Sequence, residues 1–93
     1  MNIQQYDDNK KGEFFLESEG EKLASMTYSY AGADKIIIDH TEVDDTLKGQ
    51  GVGYKLVEAS VKFARIKNIK IMPLCPFANA VFNKKSDYND IRF

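Results

Sequence analysis

An α+β (mixed α/β) fold is predicted by three features of this 93-residue sequence. Its first half alternates apolar and polar residues with the period of two that pleated strands show. Its second half changes to the three-and-four spacing of helices. Between the halves, in "TLKGQGVGYKLV" (46–57), three glycines occupy every second position. Antiparallel strands followed by a β-α-β-α run indicate an α+β or mixed α/β sandwich with two main helices, in a single domain over 1–93.

The elements follow in order. Residues 2–6 are expected to add an edge strand. "GEFFLESEGEKLASMTYSY" reads as two strands around the polar turn Ser18-Glu19-Gly20-Glu21, with Ala24, Met26, Tyr28 and Tyr30 alternating against Leu23, Ser25, Thr27 and Ser29. "DKIIIDHTEV" is a third strand, rich in β-branched residues. In "GVGYKLVEASVKFARIKN" the expected buried stripe is Val52, Leu56, Ala59, Phe63 and Ile66, with Lys55, Glu58, Lys62 and Arg65 facing water. "IKIMPL" is a short strand limited by Pro73. Pro76 suits the first position of a second helix, with Phe77, Val81 and Phe82 apolar and Lys84 and Lys85 in its last turn.

Composition excludes several classes. No run approaches the ~20 apolar residues of a membrane helix, and "MNIQQYDDNKKGE" lacks a secretory h-region, so a cytoplasmic protein with no membrane partner is expected. One cysteine, Cys75, permits no internal disulfide. One His and one Cys fall short of a four-ligand zinc set, so no metal site is expected. The net charge of −1 conceals a polarity: four lysines oppose eleven acids in 1–46, and nine basic residues oppose three acids in 47–93. A basic half suits an anionic ligand, although two solvated faces would give the same count. Nucleic acid is disfavoured, because apolar helix positions interrupt the basic residues.

The glycine stretch lies where the third strand passes into the first helix. A helix N-terminus offers unpaired N–H groups and the positive end of its dipole. Glycines at 49, 51 and 53 remove the Cβ atoms that would hold a phosphate away from those groups; a tight turn with close helix packing is the alternative. The dinucleotide pattern G-x-G-x-x-G fails because its last position, counted from Gly49, is Tyr54. The P-loop pattern fails because Gly53 is followed by Tyr54 and no Ser or Thr follows Lys55.

What fits is Val43-x-x-x-x-Lys48-Gly49-Gln50-Gly51-Val52-Gly53. This resembles the pyrophosphate-binding signature of the GNAT acetyltransferase superfamily, Q/R-x-x-G-x-G/A, preceded by a strand valine. "HTEV … GQGVG … LCPFA" further resembles a group of very short GNAT-like proteins. The resemblance implies a central, mostly antiparallel sheet and acetyl-CoA (coenzyme A) as substrate. It also implies loop donors from the backbones of Lys48, Gly49, Gln50, Gly51, Val52, Gly53 and Tyr54, with Lys55 beside them. The pantetheine arm would run along 40–43, at Thr41 and Val43. Asn79, Asn83 and Lys84 would reach the pantetheine or the phosphates from the second helix. Lys48 departs from the family's Arg or Gln, keeping charge and losing planar geometry. Larger members place two acceptor-side helices between the first two strands, where "YDDNKKG" leaves room only for a turn.

Three residues are candidates for chemistry. Cys75 would be the N-cap of the second helix, where the dipole favours a thiolate; an inert core thiol is the alternative. His40 and Glu42 share a strand parity and, absent a bulge, one face, from which either could deprotonate an amine or position Cys75. A neutral histidine and a solvated glutamate are the alternatives. The resemblance also implies a tyrosine after the last helix as the acid that protonates the departing coenzyme thiolate, for which Tyr88 is a weaker candidate. The expected function is N-acetyl transfer from acetyl-CoA to an unidentified amine, or non-catalytic binding of acetyl-CoA as a module or sensor for a partner protein.

Overall fold

The computed structural model describes residues 2–93. Five strands, β1 (Gln4–Asp7), β2 (Lys11–Ser18), β3 (Glu21–Tyr30), β4 (Lys35–Val43) and β5 (Lys70–Pro73), form one sheet in sequence order. Every pairing is antiparallel except β4 with β5. The edge strand β1 begins two residues later than expected. The turn Asp8-Asn9-Lys10 alone joins it to β2, with the Asp8 carboxylate accepting the N–H groups of Lys10 and Lys11.

Helix α1 (Val52–Lys67) makes the crossover from β4 to β5, and α2 (Pro76–Lys84) follows β5. The chain then returns at 91–93 along the outer edge of β5. There Ile71 N–H donates to Ile91 and Phe93 N–H to Ile71. Successive parallel connections stepping the same way across a sheet, each right-handed, put both helices on one face. Burial agrees: Ile36, Ile38, Ile71 and Pro73 are buried, whereas Ile37 and Met72, which point the other way, are only half-buried. The fold is a two-layer sandwich with its second sheet face open.

The single core joins β2, β3, β4, β5 and both helices. Phe14, Tyr28 and Phe63 meet at centroid distances of 5.3–6.0 Å, pinning α1 to the middle of the sheet. Tyr28 reaches across Gly12, where any side chain would collide with its ring. Its hydroxyl donates to Asp7 at 2.6 Å, and that of Tyr30 donates to the same carboxylate at 2.7 Å.

The face of α1 differs from the expected stripe. Val52 and Leu56 are buried as expected, but their companions are Val57, Ser60, Val61 and Ala64. Ala59 and Phe63 sit at the margin, and Ile66 is 83% exposed. Apolar residues lie on both flanks of the true stripe, so the i, i+3, i+4 pattern fitted two rotations of the helix. Contact with the sheet selected one of them. In α2, likewise, Ala78 replaces Phe77 on the inner face.

Candidate functional site

The strand β4 holds the key irregularity. Thr27 pairs with His40 and Tyr28 with Ile38, so Asp39 is an extra residue on β4, a bulge. Strict alternation from Ile36 and Ile38 would have turned His40 and Glu42 toward the helices. The bulge reverses the parity. Thr41 and Val43 now face the helix layer, and His40 and Glu42 stand exposed on the open face.

The bulge also fixes which backbone groups are free. Pairing with β5 ends at Ile38–Pro73, and Cys75 N–H takes the Ile38 carbonyl at 2.9 Å. Farther along, Asp44 N–H donates to Leu23 at 2.8 Å. Alternation then turns the backbone groups of His40 and Glu42 toward β3 and leaves those of Thr41 and Val43 on the unpaired edge. Beyond Ile38 no strand among the described residues pairs with this edge of β4.

β4 leads on to the glycine loop. A short 3-10 turn (Asp45–Leu47) is capped by Asp44, which accepts the N–H and the hydroxyl of Thr46. Those bonds hold the Asp44 carboxyl below its usual range. Gly49 and Gly51 have φ of +79° and +72°, the left-handed region that side-chain-bearing residues avoid, and open space surrounds both. Gly51 caps α1, whose first backbone bond runs from Lys55 N–H to the Gly51 carbonyl. The N–H groups of Val52, Gly53 and Tyr54 therefore point out of the helix start without an intrahelical partner. Val43, Leu47, Lys48, Val52, Tyr54 and Phe77 join the glycines around a cavity of about 420 Å³ at this point.

Gly53 serves differently from its two neighbours. A Cβ there would lie 2.6 Å from the Phe77 ring, so this glycine admits an aromatic side chain from α2. Phe77 and Leu47 are wall residues that sequence reading did not assign to the site. Phe77 read as core because it is apolar and helical; only the packing of α2 against the start of α1 reveals it.

The candidate catalytic residues fall into two groups. Cys75 is the N-cap of α2, as expected, but it is 5% exposed and makes no capping bond through its side chain. Its thiol donates to the Thr41 hydroxyl at 3.3 Å. His40 Nε2 lies 3.0 Å from Glu42 Oε1, on the other face of the strand. An ionised carboxylate only accepts, so Nε2 carries the shared hydrogen and Nδ1 is the basic nitrogen of the neutral ring. The strand therefore brings His40 and Glu42 to each other, and Thr41, rather than either of them, to Cys75.

The remaining positions spread out. Lys48 reaches Asp45 at 3.1 Å, Gln50 reaches the Thr46 carbonyl at 3.4 Å, and Lys55 is exposed. Asn79 accepts from Arg92 at 2.9 Å, which ties it to the C-terminal segment. Lys84 lies in the last turn of α2, seven residues past Phe77 and so about 10 Å farther along the helix. Asn83 beside it is exposed. Tyr88 is buried against Phe82, with ring centroids 5.5 Å apart. Among the described residues no group of three or more His, Cys, Asp or Glu could hold a metal ion, and no helix is long and apolar enough to cross a membrane.

A bulged strand with a free edge, a glycine loop opening a helix and a parallel partner strand together define the class: a mixed α+β fold with an open helix start beside an unpaired strand edge. The family model for GCN5-related N-acetyltransferases matches residues 13–91, and the chain belongs to that family. A GCN5-like protein from Staphylococcus aureus, solved by NMR, is 39% identical with a TM-score of 0.77, over 99% of this chain and 87% of that one. Protein NATD1 of Xenopus tropicalis is 29% identical over 69 residues, covering 73% of this chain. The match spans 63% of the frog protein's own length. An aminoglycoside N-acetyltransferase, AAC(6')-Iy, solved in complex with CoA, shares the fold at 13% identity, with a TM-score of 0.63 over 89% of this chain and 88% of that one.

Proposed function

We propose that this chain binds acetyl-CoA and transfers its acetyl group to an amine. The observation that carries the reading is the junction of two sets of unpaired backbone groups. The free edge of β4 at Thr41 and Val43 leads directly to the N–H groups that start α1. A pantetheine arm carries amides that can pair with a strand edge, and its pyrophosphate suits a helix N-terminus. Charge-assisted hydrogen bonds of this kind contribute about 1.5–3 kcal/mol each. Bound so, the thioester comes to the bulge, between Cys75 on one face and His40 with Glu42 on the other. Direct attack by the amine needs a base on the open face. There the imidazole takes the proton while Glu42 steadies the resulting cation. The AAC(6')-Iy complex, in which a shared fold holds CoA, supports the assignment.

A second reading, a non-catalytic acetyl-CoA module or sensor, is favoured by one observation. No element among the described residues covers the face bearing His40 and Glu42, whose side chains are 65% and 74% exposed. Isothermal titration with coenzyme A tests the common part: Gly51→Val should weaken binding at least about tenfold, with unchanged circular dichroism, because a β-branched residue resists a left-handed φ. Unchanged affinity would exclude the loop. Acetylation of small amines by the wild-type protein, lost in His40→Ala with Glu42→Gln, separates transfer from mere binding.

A further inference from the structure

Tyr54 and Phe77 are large aromatic residues left 45% and 37% exposed, and they touch each other. Their ring centroids are 5.8 Å apart at an interplanar angle of 74°. Both line the cavity of about 420 Å³ at the glycine loop, along with Val43, Leu47 and Val52. Among the described residues the other aromatic pairs each include a buried ring; this one stands at the surface. It exists because Gly53 has no Cβ, since one would lie 2.6 Å from Phe77. A tight core contact would have hidden these rings, whereas this contact presents them beside unpaired N–H groups.

We infer that Tyr54 and Phe77 form a stacking platform for the adenine base of the donor. The inference rests on the coenzyme reading above and extends it to the donor's far end. A phosphate held at the start of α1 directs its attached nucleoside outward over the first turn. Tyr54 occupies that turn, and Phe77 extends the same apolar wall from α2. A flat base gains from an aromatic face without needing a specific hydrogen-bond pattern. The 4′-phosphopantetheine fragment of the donor has no base to place there. Lys55, exposed next to Tyr54, adds positive charge where a nucleotide has further phosphate.

The test compares two probes, coenzyme A and 4′-phosphopantetheine, by isothermal titration against wild type, Tyr54→Leu, Phe77→Leu and Tyr54→Phe. Leucine retains apolar bulk over Gly53 and removes the aromatic face. Each leucine variant should bind coenzyme A about tenfold more weakly, the loss typical of one base–aromatic stack, and 4′-phosphopantetheine unchanged. Tyr54→Phe should match wild type. Equal losses for both probes would show that the rings only support the loop, and would overturn the platform. No loss for either probe would overturn it too, leaving the loop assignment intact. A wild-type protein that binds neither probe overturns the coenzyme reading and the platform together.

Discussion

The thiol of Cys75 donates to the hydroxyl of Thr41 at 3.3 Å, while the two residues flanking Thr41 hold each other on the opposite face of the strand. One strand thus carries two separate chemical groups, kept apart by its own thickness. Alkylation of Cys75 by iodoacetamide should therefore respond to Thr41→Ala, which uncovers the sulfur, with a several-fold faster rate. Glu42→Gln should leave that rate unchanged. In wild type the reaction should run at least about tenfold slower than in the urea-unfolded chain, because a buried group reacts through local opening. Mass spectrometry of timed samples reads all three. An effect of Glu42→Gln equal to that of Thr41→Ala would show that the two groups are coupled.

Gly53 and Phe77 should be energetically coupled with a change of sign. Gly53→Ala alone should destabilise the protein by about 1–3 kcal/mol, the range for overpacking. In a Phe77→Ala background the obstruction is gone, and the same change should stabilise by about 0.5–1 kcal/mol through helix propensity. Urea unfolding of the four proteins closes the cycle, and additive effects would refute the close approach.

The rotated face of α1 separates two apolar residues ten positions apart. Leu56→Ala should cost about 2–5 kcal/mol, because Leu56 is fully buried. Ile66→Lys should fall within about 0.5 kcal/mol of wild type, as surface substitutions do. Thermal melts distinguish them. A large loss at Ile66 would restore the stripe that periodicity alone suggested.

Asp7 links the edge strand to the core and sets a pH dependence. Burial raises its carboxyl, but the hydrogen bonds from Tyr28 and Tyr30 outweigh that and hold it below the ordinary value of 3.8. A lowered carboxyl stabilises the fold above the unfolded value and loses that contribution as pH falls through the folded one. Asp7→Asn should therefore cost about 1 kcal/mol at neutral pH, after allowance for solvent screening, and the gap should begin to narrow near pH 3.8 and close as pH falls through the lower folded value. The alkaline side has the opposite sign. Burial, reinforced by Asp7, pushes the Tyr30 hydroxyl up to about 12 and raises that of Tyr28 as well. That stabilisation is complete below about pH 10 and fades as pH rises through about 12. Urea melts at pH 7, 3 and 11 and ultraviolet titration of the tyrosinates check both limbs; a gap that persists undiminished at pH 3 would deny Asp7 its role.

Element types were legible in the residues because local physics sets them. The β-branched run in β4, the period of two in β3 and Pro76 at the start of α2 each act over a few neighbours. The glycine loop was legible for the same reason, since glycine takes the positive φ found at Gly49 and Gly51 without the steric cost other residues meet. The Asp39 bulge was not, because an extra residue on one strand is defined only by the register of its partner.

By itself, then, the sequence determined the order of strands and helices and the glycine-rich junction of β4 with α1. The tertiary structure alone decided which side chains meet. Pairing of β3 with β4 set the bulge, the bulge set which face each side chain takes, and packing of α2 on α1 brought Phe77 over Gly53. Faces and contacts of this kind depend on residues distant in the chain, so their energies enter only when the layers close.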